Sequence, residues 1–137
     1  MRIRTLLAAA LVAGTLAVGA PVAHAGTQAT PNIYVVSLGS GVSSDCTSIN
    51  VNAFYGNNGD ADSGNFAISF TIDTTTVVEA RVRSVAPGAI EHSHQFALTW
   101  QHPTSGDHTL TVTLDATNRV AESNEDDNSL SQTFTCP

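Results

Sequence analysis

The chain has 137 residues, two cysteines, no lysine, and twelve Asp and Glu against five Arg, for a formal charge of −7. That length suits one domain with a core of its own. The sign of the charge repels phosphate backbones and anionic headgroups, which excludes nucleic acid and a bare membrane surface as partners.

In chain order, Arg2 and Arg4 precede an apolar run from Thr5 to Val18, which Gly19, Ala20 and Pro21 break. Ala23-His24-Ala25 then supplies the small residues of a secretory cleavage site, so residues 1–25 are read as a signal peptide and the exported form starts at Gly26. An uncleaved N-terminal anchor is the alternative, although the run is short for a full span. Without the leader, Arg81, Arg83 and Arg119 face all twelve acids, a balance of −9. The expectation is a secreted, extracellular protein, monomeric and without a membrane span in its mature form. Residues 26–32 form a short N-terminal segment, and residues 33–137 form the domain.

Beyond Pro31 the apolar residues recur every second position, which is the period of strands. After a first strand over residues 33–41, stripes follow at Ile49, Val51, Ala53 and Tyr55, then at Phe66, Ile68, Phe70 and Ile72, then at Val78, Ala80 and Val82. Phe96, Leu98 and Trp100 make the fifth, Leu110, Val112 and Leu114 the sixth, and Leu130, Phe134 and Cys136 the seventh, with Gln132 as its polar exception. Trp100 is therefore expected in the core with Phe96, Leu98, Phe66 and Phe70. Turn-forming residues separate the stripes, as in Gly56-Asn57-Asn58-Gly59, Ala86-Pro87-Gly88 and Pro103-Thr104-Ser105-Gly106-Asp107. Seven such strands predict an all-β, immunoglobulin-like antiparallel β-sandwich. A closed barrel is the alternative. The sandwich topology brings the start of the second strand and the end of the seventh to one end, so Cys46 and Cys136 are expected to form a disulfide, as an even count in an exported chain suggests.

The stretch "HTLTVTLDATNRVAESNEDDNSLSQTFT" resembles the terminal hairpin of CARDB, the cell-adhesion-related domain found in bacteria. Members have a valine-rich strand, an Asp-x-x-Asn turn, V-x-E-x-x-E-x-N-N and a last strand. Asp115, Asn118, Val120, Glu122, Glu125 and Asn128 stand at the matching positions. "VNAFYGNNGDADSGNFAISFTID" resembles the family's strand, N-x-G turn and next strand, with Asn57 and Gly59 at the turn, and "FALTWQ" resembles its late aromatic strand. The resemblance implies an Ig-like sandwich in exported proteins with binding or adhesion roles, and no catalytic residues. Asp127 departs from the pattern where the first of two asparagines is usual, so the side chain there accepts hydrogen bonds but cannot donate.

If the topology holds, the second-to-third-strand turn brings Asp60 and Asp62 beside the acidic stretch holding Glu122, Glu125, Asp126 and Asp127. Calcium takes six to eight oxygens in flexible geometry, so these six carboxylates are the candidate metal ligands and calcium the candidate ion. The linear pattern matches no EF-hand loop, since Ser63 and Ser69 stand where glycine and glutamate belong. The competing reading is a solvated turn braced by Asn57, Gly59, Glu122 and Asn128 through backbone bonds, with no cofactor. His92 and His94 share a strand face, and His102 and His108 flank a turn; they are weaker candidates for zinc or copper. No catalytic motif is present, so an enzyme is not expected. Two functions remain. One is a non-catalytic binding or adhesion module that meets a cell-surface protein or polysaccharide; the other is a small extracellular metal-binding protein.

Overall fold

The computed structural model describes residues 28–137 apart from Glu91 and His102. The expected signal peptide and its cleavage site lie outside the described residues, as do His102 and the side chain of His92.

The seven strands are β1 (Ile33–Val42), β2 (Ser48–Asn57), β3 (Phe66–Ile72), β4 (Thr75–Val82), β5 (His92–Thr99), β6 (Gly106–Leu114) and β7 (Ser129–Cys136). They form a three-stranded sheet in the order β1-β2-β5 and a four-stranded sheet in the order β4-β3-β6-β7. Every pairing is antiparallel. This is the immunoglobulin-like sandwich, because alternation gives each sheet one apolar face and the two faces close on one another.

The core follows the stripes. Ile49, Val51, Ala53 and Tyr55 of β2 meet Phe66, Ile68, Phe70 and Ile72 of β3 and Leu110, Val112 and Leu114 of β6, all buried. Val78, Ala80 and Phe96 are half-buried rather than buried, and two further positions differ from the expected pattern. Trp100 follows the end of β5, its backbone N–H donating to Thr47 O at 3.0 Å, and is half-buried at the rim, packed against the core. Its ring meets His108 at 4.6 Å and Phe134 at 6.0 Å, edge to face. Phe70 instead pairs with Phe96 at 4.8 Å. Leu130 is exposed, near the start of β7.

Cys46 and Cys136 are joined by a disulfide, with their Cα atoms 5.9 Å apart and a separation of 90 in sequence. Cys46 has a positive φ of 57° in the tight turn between β1 and β2. The bond ties the entry to β2 to the exit of β7. The β2–β3 turn and the acidic β6–β7 loop lie at the other end of the sandwich, as the topology predicts.

Candidate functional site

At that far end, the chain before β1 runs between two loops and is bonded to both. Asp60 N donates to Thr30 O (2.9 Å) and Asn58 N to Asn32 O (3.0 Å) on one side. Ser123 N donates to Pro31 O (3.0 Å) and Val35 N to Asp127 O (3.1 Å) on the other. The result is a clamp on residues 30–35.

Asn57 holds the first jaw. Its side chain is wholly buried and its amide makes four hydrogen bonds. Oδ1 accepts from Asn32 N and Gly59 N, both at 3.0 Å. Nδ2 donates to Ala61 O at 2.8 Å and Val85 O at 2.9 Å. That uses both donors and both acceptor positions of a primary amide, which explains why no apolar residue serves at this buried site. Gly59 is required for a different reason. A Cβ there would collide with the backbone of Thr30, Pro31 and Asn32, so the close approach of the clamped segment needs a residue without one.

The acidic loop makes the second jaw. Glu122 Oε2 accepts from Ile33 N at 2.6 Å and its Oε1 from Asn128 Nδ2 at 2.9 Å. Glu125 Oε1 accepts from Glu122 N at 3.1 Å, and its Oε2 shares the Asn128 amide at 3.4 Å. Asp127 Oδ2 accepts from Asn32 Nδ2 at 3.1 Å, and the same amide donates to Asn58 Oδ1 at 2.7 Å. Asn32 therefore joins the two loops through side chains alone. The preceding Asp-x-x-Asn turn is set by Asp115 and Asn118, with positive φ of 42° and 48°. Asp115 Oδ2 accepts from Val120 N at 2.7 Å, which seats Val120 in the core.

The six carboxylates singled out as metal ligands are thus not equivalent. Glu122, Glu125 and Asp127 are taken up by framework hydrogen bonds, whereas Asp60, Asp62 and Asp126 are exposed. Among the described residues, no group of three or more His, Cys, Asp or Glu side chains converges so as to hold a metal ion. Four buried oxygens at this end, Asn32 Oδ1, Asp115 Oδ1, Asp127 Oδ1 and Asn128 Oδ1, accept no hydrogen bond from described residues. Each belongs to a side chain whose other polar atom is bonded. The histidines are also dispersed. His94 Nδ1 bonds the Tyr55 hydroxyl at 2.6 Å, and burial pushes that phenol up to about 12, so it remains a neutral partner. His108 lies at the opposite end with Nδ1 2.9 Å from Asp73 Oδ2 and Nε2 2.8 Å from Thr104 O. Both neighbours are acceptors, which favours the doubly protonated ring, and the bonds to Asp73 and Thr104 raise its pKa.

Burial pushes the Glu122 carboxyl up to about 7, against the pull of its bonds from Ile33 and Asn128 and with help from the nearby Glu125 and Asp115 charges. The folded state then binds a proton that the unfolded chain has released between about 4.5 and about 7. The sign follows: this contribution to stability is full below the unfolded value and is lost as pH rises through the folded one. Melting temperatures followed from pH 5 to pH 8 should therefore fall with rising pH, and Glu122→Gln should flatten that dependence. An unchanged slope would show that Glu122 ionises as it does in the unfolded chain. Truncation tests the jaw directly. Glu122→Ala strands the buried Ile33 N–H and should cost about 1 kcal/mol or more in denaturant unfolding. Asp126→Asn, on an exposed acid, should change stability by less than about 0.5 kcal/mol.

Sequence reasoning picks out Asn57, Gly59, Glu122 and Asn128 but misses Asn32, whose only signal is an amide just before the first strand. It also misses Val85, which is buried after β4 and receives the Asn57 amide.

The family model described as CARDB matches residues 30–132, a span that takes in both jaws and the segment they hold. Among solved structures, the chain is similar to a Methanosarcina acetivorans domain from a protein assigned by name to the cell surface. The two are 29% identical with a TM-score of 0.63, over 79% of this chain and 93% of that one. The CARDB domain of a Pyrococcus furiosus protein, solved in complex with di-metal ions, is 20% identical with a TM-score of 0.66, over 79% and 90% of the two chains. A solution structure of that domain gives a TM-score of 0.64 at 19% identity, over 79% and 96%; both of these likenesses concern the fold. The search of curated proteins finds no match.

Proposed function

The chain belongs to the CARDB family, and from that premise we propose that it is a non-catalytic binding or adhesion module working outside the cell on a cell-surface protein or polysaccharide. One observation carries the reading. The acid and amide side chains of the motif region are spent on one another and on the backbone of residues 30–35, so they hold a rigid frame and leave recognition to the surface around it. The disulfide suits an oxidising compartment, and the Methanosarcina relative assigned to the cell surface supports the location. Adsorption of the purified domain to isolated envelopes of the producing cells tests the proposal. Saturable binding is expected, and none above that of a denatured control would sink it.

A metal-binding role is the second reading, favoured by the four buried acceptors without partners, since a cation needs oxygens and no donors. The frame reading expects millimolar calcium or a chelator to leave the melting temperature unmoved. A ligand bound only by the folded state must raise it, so a calcium-dependent rise abolished by Asp127→Asn would favour the second reading instead.

A further inference from the structure

The outward face of the three-stranded sheet is chemically unlike the rest of the chain. β1, β2 and β5 contain no Asp, Glu, Lys or Arg, in a sequence with twelve acids. The other sheet carries Glu79, Arg81 and Asp107 on its strands. On the neutral face, Gly39, Asn52 and Gln95 stand in one row across the strands, and Gly41, Asn50 and Ala97 stand in the next. A groove of about 490 Å³ lies over these rows.

The two glycines have no local cause. Neither has a positive φ, and the bulge in β1 lies at Val36, between Val35 and Ser37. A Cβ on Gly41 would meet nothing within 4 Å, and one on Gly39 would meet only Asn52 O at 3.9 Å. Glycine inside a strand weakens it, and where turn, bulge and packing do not call for it, it marks a place where a ligand comes close to the backbone. The amides bordering the groove point the same way. Asn52 Oδ1 is buried and accepts no hydrogen bond from described residues, an acceptor that a rotation of the amide would offer to an incoming donor. Phe54 is half-buried on the same face in the adjoining row, between Ser37 and Ser93.

We propose that this face binds an uncharged polysaccharide chain. Each primary amide offers two donors and an acceptor oxygen, which suits hydroxyls that both donate and accept. The bare glycine floor and Phe54 provide apolar surface for the C–H faces of sugar rings. An anionic polymer would find no cation on this face and would be repelled by the chain's net charge. The inference rests on the reading of the chain as a binding module and assigns its ligand class and contact surface.

Native gels cast separately with dextran, galactomannan, xylan or polygalacturonate test it. Retardation is expected in at least one of the three neutral polymers and not in polygalacturonate. Gly41→Leu has room for its side chain and should keep the melting temperature while raising the dissociation constant by about tenfold or more; Asn52→Ala should act in the same direction without filling the groove. Retardation in none of the neutral gels overturns the proposal, as does retardation that Gly39→Leu, Gly41→Leu and Asn52→Ala all leave unchanged. A concentration-dependent dimer abolished by Gly41→Leu would make the face a contact between copies and would also overturn it. Envelope adsorption separates the two claims: adsorption equal in wild type and Gly41→Leu sinks this face alone, whereas its absence in the wild type sinks the binding module.

Discussion

Asn57→Ala should destabilise the domain by roughly 2 kcal/mol or more, because four bonds, two of them buried, are lost at once and each such loss costs about 1 kcal/mol. The partners are Asn32 N, Gly59 N, Ala61 O and Val85 O. They come from three stretches of chain, residues 30–35, the β2–β3 turn and the segment after β4, which this one amide ties together. Asn57→Asp discriminates further. The carboxylate keeps the two accepting positions and loses both donors, so Ala61 O loses its side-chain partner and Val85 O keeps only the bond from Ser63 N, both beside a buried charge. Urea unfolding of the three proteins checks this, and an Asn57→Ala variant within about 0.5 kcal/mol of wild type, the range of an ordinary surface change, would mean that the amide does not organise the turn.

Replacing Cys46 and Cys136 together with alanine should cost about 4 to 5 kcal/mol on the chain-entropy account, since the bond closes a loop near the long end of the usual range. The 90-residue separation takes in six of the seven strands, which leaves the reduced chain far more freedom in the unfolded state than a short loop would. For a domain of this size such a loss is a large part of the total stability. Unfolding of the double variant beside the oxidised wild type measures it; equal midpoints would show that the bond forms without constraining the unfolded ensemble.

Strand number and face were legible in the sequence because alternation is local and a one-residue slip would turn every side chain over. Trp100 and Leu130 have the right parity but less cover than parity implies: Trp100 lies just past the end of β5, and Leu130, though paired with Val112, is on the edge strand β7. Pairing of the cysteines was legible once the strands were ordered. The acidic loop was harder. Composition shows four carboxylates together, but whether they meet a cation, water or an amide depends on Asn32 and Ile33, which are distant in sequence from Glu122. Gly39 and Gly41 illustrate the opposite limit, since glycine in a strand is visible in the sequence but only the structure shows that nothing at those positions requires it.

The disulfide also decides how the domain would respond to being pulled. Cys46 and Cys136 close a covalent ring around β2 to β7, so tension between the two ends passes through the bond and bypasses those six strands. Within residues 28–136 only the stretch ahead of Cys46 can pay out, and because the pull enters at the clamp end and is held at the disulfide end, β1 leaves by sliding lengthwise past β2. From residue 28 to residue 45 that amounts to roughly 60 Å at about 3.4 Å per residue, against about 300 Å more if the ring were opened. The clamp of Asn57 and Glu122 on residues 30–35 sits at the loaded end of that strand, so an oxidised domain under load is a short tether whose clamp and β1–β2 ladder bear the pull together.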